Sequence, residues 1–146
     1  MKKILFFLVA LTTVAITFSA CENNKAGDPL KGTWSYTTQP TESGWYSKYV
    51  AIFDGKGGFE FQDYAFGPEA TEAHDCNYMK GQYEIKGDIV TIHYLEHGWI
   101  HDGQRDPVQD FEPFDEQIQF KISGNKLTIT RYYGTPDAYQ EVYTKQ

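Results

Sequence analysis

Cysteine is nearly missing from this chain, which has two, Cys21 and Cys76, in 146 residues. Small disulfide-framed scaffolds need several paired cysteines, so that class is excluded. Basic residues are scarce as well, 13 against 20 acidic ones, and the net charge is −7. With no basic patch interleaved with aromatics, nucleic acid is excluded as a partner. No window sustains a helical apolar period over three turns. The fingerprints of the nucleophile elbow, the phosphate loop, the metalloprotease helix and the dinucleotide site are all absent. A hydrolase is therefore the least favoured reading, the chain is expected not to be an enzyme, and no cofactor is implied. No apolar run is long enough to cross a bilayer, which takes about 20 residues.

The longest such run, Ile4 to Phe18, follows the basic Met1-Lys2-Lys3 and has the form of a signal peptide. Small Ser19 and Ala20 lead into Cys21, and Phe18-Ser19-Ala20-Cys21 resembles the lipobox of bacterial lipoproteins, with Phe18 where an aliphatic residue is usual. That resemblance implies cleavage after residue 20 and acylation of Cys21, palmitate included. It also implies a cell-envelope location in the outer membrane, facing the periplasm or the outside. Two or more acyl chains hold a protein stably where one does not. Residues 21–30 are polar and Pro/Gly-punctuated and read as a tether; residues 31–146 read as one domain. Loss of Lys2 and Lys3 leaves 11 basic residues against 20 acidic, a mature charge of about −9. Lipidation of Cys21 leaves Cys76 without a disulfide partner.

What the domain does have is aromatic and β-branched residues at a period of two. Trp34/Tyr36, Phe59/Phe61, Tyr83/Ile85, Ile118/Phe120/Ile122 and Leu127/Ile129 each alternate with polar neighbours. This is the signature of antiparallel strands wet on one face. Eight strands are expected, near 32–38, 46–53, 58–64, 79–86, 89–96, 115–122, 126–132 and 138–144. Tight Gly turns at 54–58, 86–88 and 123–126 alternate with longer connections near 39–45, 65–78, 97–114 and 133–137. In a meander this puts the hairpins at one end and the long loops at the other. The expected fold is an all-β, eight-stranded antiparallel up-and-down barrel, closed to remove its edges. So many large inward residues predict a filled interior, with any ligand site near the mouth. The side-chain parity of 46–53 and 138–144 stays ambiguous.

Leu30-Lys31-Gly32-Thr33-Trp34 resembles the Gly-x-Trp opening of lipocalins. The beats Phe53-Asp54-Gly55, Gly81-Gln82-Tyr83-Glu84-Ile85 and Ser123-Gly124-Asn125-Lys126-Leu127 are similar to those of lipocalin-like domains on small bacterial lipoproteins. The resemblance covers residues 30–146 and implies a barrel that binds a ligand. It departs at the end, where only Lys145 stands near the position of the arginine that packs over the tryptophan. Arg131 lies at the opposite end, and no C-terminal helix follows the last strand. These departures count against a lipocalin-type hydrophobic cargo, but not against the barrel.

Of the 21 aromatic residues left after the leader, 11 fall in or beside the long loops, among many carboxylates. Trp45, Tyr46, Tyr64, Phe66, Trp99 and Tyr133 are the candidate ligand residues, because flat rings beside acids stack on sugars and anchor protein contacts. The expected partner is a small amphipathic molecule, a glycan or an envelope protein; the plainer alternative is that the rings pack the loops together. His97, His101, His74 and Cys76 carry donor types that suit zinc or copper. However, four-residue spacing pairs imidazoles only on a helix, so no metal is expected and solvated loop histidines are the reading. Asp54-Gly55-Lys56-Gly57-Gly58 lacks the alternating carboxylates of a calcium loop and reads as a turn.

Overall fold

A computed structural model describes residues 27–73 and 75–146. The expected signal segment, Cys21, the start of the expected tether and His74 lie outside the described residues. None of the described residues is helical. Nine strands run β1 (Gly32–Thr37), β2 (Tyr46–Phe53), β3 (Gly58–Phe66), β4 (Asp75–Lys86), β5 (Ile89–His101), β6 (Gln104–Pro107), β7 (Phe114–Ser123), β8 (Lys126–Arg131) and β9 (Tyr139–Lys145). Eight of them close an antiparallel barrel in simple meander order. The closing seam is β1 against β9, where Trp34 pairs with Lys145 and Ser35 with Thr144.

Closure follows from the pleat. Inward residues sit in cross-strand rows: Gly32, Phe53, Phe59, Gly81 and Tyr94 form one, and Trp34, Ala51, Phe61, Met79 and His97 the next. The parity left open in the sequence is thereby decided: Tyr49, Ala51 and Phe53 point inward from β2, and Tyr143 from β9. Trp34, Val90, Ile118, Leu127 and Tyr143 are fully buried at the centre. Edge-to-face and tilted contacts of Phe53 with Phe59 and Tyr83 fill the hairpin end. Each large side chain so buried contributes about 1.5–3 kcal/mol.

The two long connections near 65–78 and 97–114 are in large part strand, the second more than the first. β4 begins at Asp75, β5 runs on to His101, and β6 pairs back onto it through a two-residue turn. Asp102 (φ 49°) and Gly103 (φ 76°) both take positive φ there. An Asp-Gly pair suits such a turn. The exposed, polar downstream flank Gln104-Arg105-Asp106, which carries no apolar alternation, hid it in the sequence.

At Lys80/Gly81 the β4–β5 register shifts, with Leu95 as the extra residue. Only glycine fits opposite it, since a Cβ on Gly81 would lie 1.9 Å from the His93 carbonyl oxygen. The bulge reverses the parity of β5. Before it Val90, Ile92 and Tyr94 face inward; beyond it His97 and Trp99 do. Outside the wall, β6 lays Arg105 over the ring of Tyr78 at 4.6 Å, with Glu60 on the same guanidinium at 2.7 Å. This cover, with Glu96 accepting from the Tyr78 hydroxyl, explains a fully buried tyrosine on an outward position.

At the hairpin end Trp34 donates from Nε1 to the Leu30 carbonyl at 2.7 Å, and Lys145 Nζ sits 5.1 Å over its ring. The last residues of the expected tether are thus part of the domain: Leu30 is buried, and Asp28 binds both the Leu30 amide and the Tyr83 hydroxyl.

Candidate binding site at the barrel mouth

Two residues above the apolar rows, the inner face turns polar. One row there runs Tyr36, Tyr49, Asp63, Asn77 and Trp99, each the cross-strand partner of the next. Tyr36 stacks on Tyr49 at 6.1 Å and Tyr49 on Phe61 at 5.7 Å. Asp63 carries the one unsatisfied buried side-chain oxygen, Oδ1, among the described residues. Burial pushes its carboxyl above the ordinary carboxylate range, partly offset by a hydrogen bond from Asn77. Burial and the facing Asp63 also raise the Tyr49 hydroxyl, with Glu141 adding from β9, two strands away.

The opposite wall holds Arg131, which continues the inward alternation of Leu127 and Ile129. Its Nη1 donates to both oxygens of Glu116 at 2.7 and 2.9 Å, and its Nε to Glu141 at 3.0 Å. Tyr94 and Tyr143 donate to Glu116 and Glu141 at 2.9 and 3.2 Å. Burial alone would lower the guanidinium's affinity for its proton, but the two carboxylates hold it above the arginine range. Arg131 also lies 5.9 Å over Phe61, which ties this network to the ring stack.

An aromatic ledge leads from the rim to the core. His101 stacks on Trp99 at 6.4 Å, Trp99 meets His97 at 6.3 Å, and His97 meets Phe111 at 6.0 Å. Phe111 meets Phe114 at 6.1 Å, and Phe114 stacks on Tyr94 at 4.6 Å. Trp99 is 39% exposed and Phe114 45%, so the ledge presents aromatic surface to solvent. Two strands from Trp99, past Asn77, lies the buried Asp63 oxygen, an acceptor that has no partner.

No known family model matches the chain, and no curated protein matches it. The site therefore rests on its own geometry.

Of the six candidate rings, Trp99 stands on this ledge. Trp45 lies over Gly67 in the β1–β2 loop at the rim. Tyr46 and Phe66 stack on each other at 4.8 Å as cross-strand partners on the outer face. Tyr64 also faces outward, donating to Gln62 at 2.7 Å, and Tyr133 donates to outward Gln117 at 3.4 Å. The six are thus not one cluster: they divide between the mouth and the outside of the wall. His97 and His101 belong to the ring ledge. Among the described residues no three His, Cys, Asp or Glu side chains stand together as metal ligands would. The Asp54 turn uses its carboxylate internally, accepting from the Lys56 and Gly58 amides at 2.6 and 2.8 Å. Cys76 is buried, and burial raises its thiol. Asp63, Asn77, Glu116, Arg131 and Glu141 went unrecognised in the sequence. They could have been found by carrying each strand's inward parity two residues further toward the long loops.

A cleft of about 540 Å³ lies at the other pole, lined by Asp28, Gly55, Lys56, Tyr83 and Gly87. The incoming chain at Gly27–Pro29 forms part of its rim.

Proposed function

We propose that the chain is a membrane-tethered, lipocalin-like lipoprotein whose barrel is a non-enzymatic binding domain. It is held in the envelope, in the outer membrane, through acylated Cys21. It takes a small amphipathic or hydroxyl-rich ligand at the long-loop end. The observation that carries this reading is the orphan Asp63 oxygen set in one row with Tyr49 and Trp99. A buried acceptor without a partner costs free energy that a ligand's donor recovers, and the half-exposed rings two strands away give the ligand's apolar part a surface.

The test is titration with the neutral amphipathic fluorophore N-phenyl-1-naphthylamine, backed by native mass spectrometry of protein taken from its own envelope. Trp99→Ala weakens probe binding at least about tenfold, the equivalent of ~1.4 kcal/mol, and leaves the melting temperature nearly unchanged. Unfolding by that change would make the ring structural and defeat the reading.

A second reading, an accessory envelope protein that binds another protein and no small ligand, is favoured by the rim itself. Tyr132, Tyr139 and Trp45 are 61%, 47% and 41% exposed. Specific capture of an envelope protein with no small molecule retained would favour it.

A further inference from the structure

We infer that the barrel is electrically polarised along its axis and stands on an anionic membrane surface by its hairpin end, with the mouth turned away. The tether part of this inference rests on the lipoprotein reading above; the charge part does not. Among the described residues, the hairpin turns and the segments leading into them expose Lys31, Lys56, Lys86, Lys121, Lys126 and Lys145. Four carboxylates share that end: Asp28, Asp54, Glu84 and Asp88. At the long-loop end, segments 38–45, 67–75, 102–115 and 132–138 carry ten acidic residues and one basic, Arg105. The molecule is strongly acidic overall, yet all of that excess lies at one pole.

Two features make this polarity effective. The poles are roughly 25 Å apart, the length of a tilted strand, and that exceeds the ~8 Å screening length in physiological salt. A nearby surface therefore feels one pole and not the sum. Next, the chain reaches the barrel at the lysine end, where Asp28 and Leu30 lock onto Tyr83 and Trp34. Only five residues separate Cys21 from Gly27, six Cα–Cα steps that span at most about 22 Å. The tether thus delivers the basic pole to the headgroups, and anionic lipid attracts lysines there. Tipping the barrel over would bring ten carboxylates against the same surface.

The experiment uses the full lipidated chain with Cys76→Ser and one dye, placed at Asn125→Cys in the β7–β8 turn or at Ala138→Cys in the β8–β9 loop. Vesicles are phosphatidylcholine alone or with added phosphatidylglycerol, both doped with nitroxide-headgroup lipid. Quenching at residue 125 rises about threefold when the anionic lipid is added, exceeds that at residue 138, and falls back in high salt. Lys56→Glu, Lys86→Glu and Lys126→Glu together remove the rise, and the matching glutamine set reduces it. Equal quenching at the two positions, or more at residue 138, overturns the inference. Flotation with pure phosphatidylcholine vesicles reads the anchor separately. If the chain does not float, the anchor reading falls, and capture of the chain on phosphatidylglycerol vesicles decides the charge inference. Capture lost in the glutamate set supports it, and capture absent or insensitive to that set overturns it.

Discussion

Replacing Asp63 with leucine should stabilise the domain and, on the proposed reading, abolish binding of N-phenyl-1-naphthylamine. The wild-type carboxyl sits on the inner face between Tyr49 and Asn77, with Oδ1 buried and unpartnered. Leaving such a group unsatisfied costs about 1–3 kcal/mol. Because Asp63 is only half-buried and the substitution also loses the Asn77 hydrogen bond, a net gain of about 1 kcal/mol is expected, or ~3–4 °C in melting temperature for a domain of this size. The pH dependence carries a sign. Burial raises the folded pKa above the ordinary 3.8, so the folded state holds this proton more tightly than the unfolded one. Wild-type stability is therefore lost through this group as pH rises from that ordinary value through the raised one, and the loss is complete above it. The advantage of Asp63→Leu should be full at neutral pH and shrink on acidification toward the ordinary carboxyl range. The assay is differential scanning calorimetry of both proteins across pH, so that titrations common to both cancel. A lower melting temperature for Asp63→Leu at neutral pH would mean that Asp63 holds β3 to β4, and the binding argument built on it would fall.

Other perturbations test the rest of the architecture. Arg131→Met should cost about 3 kcal/mol in urea denaturation, because Glu116 and Glu141 are left charged and unpaired inside the wall; adding Glu116→Gln and Glu141→Gln should recover much of it. Gly81→Ala should destabilise by at least about 2 kcal/mol or lower expression, since the new Cβ meets the His93 carbonyl. A surface-like loss would show that the bulge is soft. Cys76 should resist iodoacetamide at neutral pH in the folded domain and react on unfolding, read by mass spectrometry; rapid labelling of native protein would contradict its burial.

The strands and their hairpins were legible because period-two alternation and Gly-bearing turns are local signals. Lys145, one of the departures from the lipocalin pattern, lies over Trp34 because the closing seam pairs the two residues. The candidate site was less legible. The alternation rule stops where inward residues become polar, so Asp63, Glu116 and Arg131 looked like strand ends. Six loop aromatics were grouped by sequence position alone, yet Tyr46, Tyr64 and Phe66 fall on outward positions of their strands.

The sequence by itself determined the class of fold, eight of its strands and the three Gly hairpins, because alternation and turn chemistry depend on residues within a few positions of one another. Tertiary structure alone decided what faces the lumen beyond Leu95, where one extra residue reverses β5 and turns His97 and Trp99 inward. It alone brought Arg131 between Glu116 and Glu141, which lie 15 and 10 residues away and on neighbouring strands. It also sorted the charged side chains into a basic pole and an acidic one. Side-chain direction in a closed barrel is set by register around the whole ring, and no local stretch of sequence contains that register.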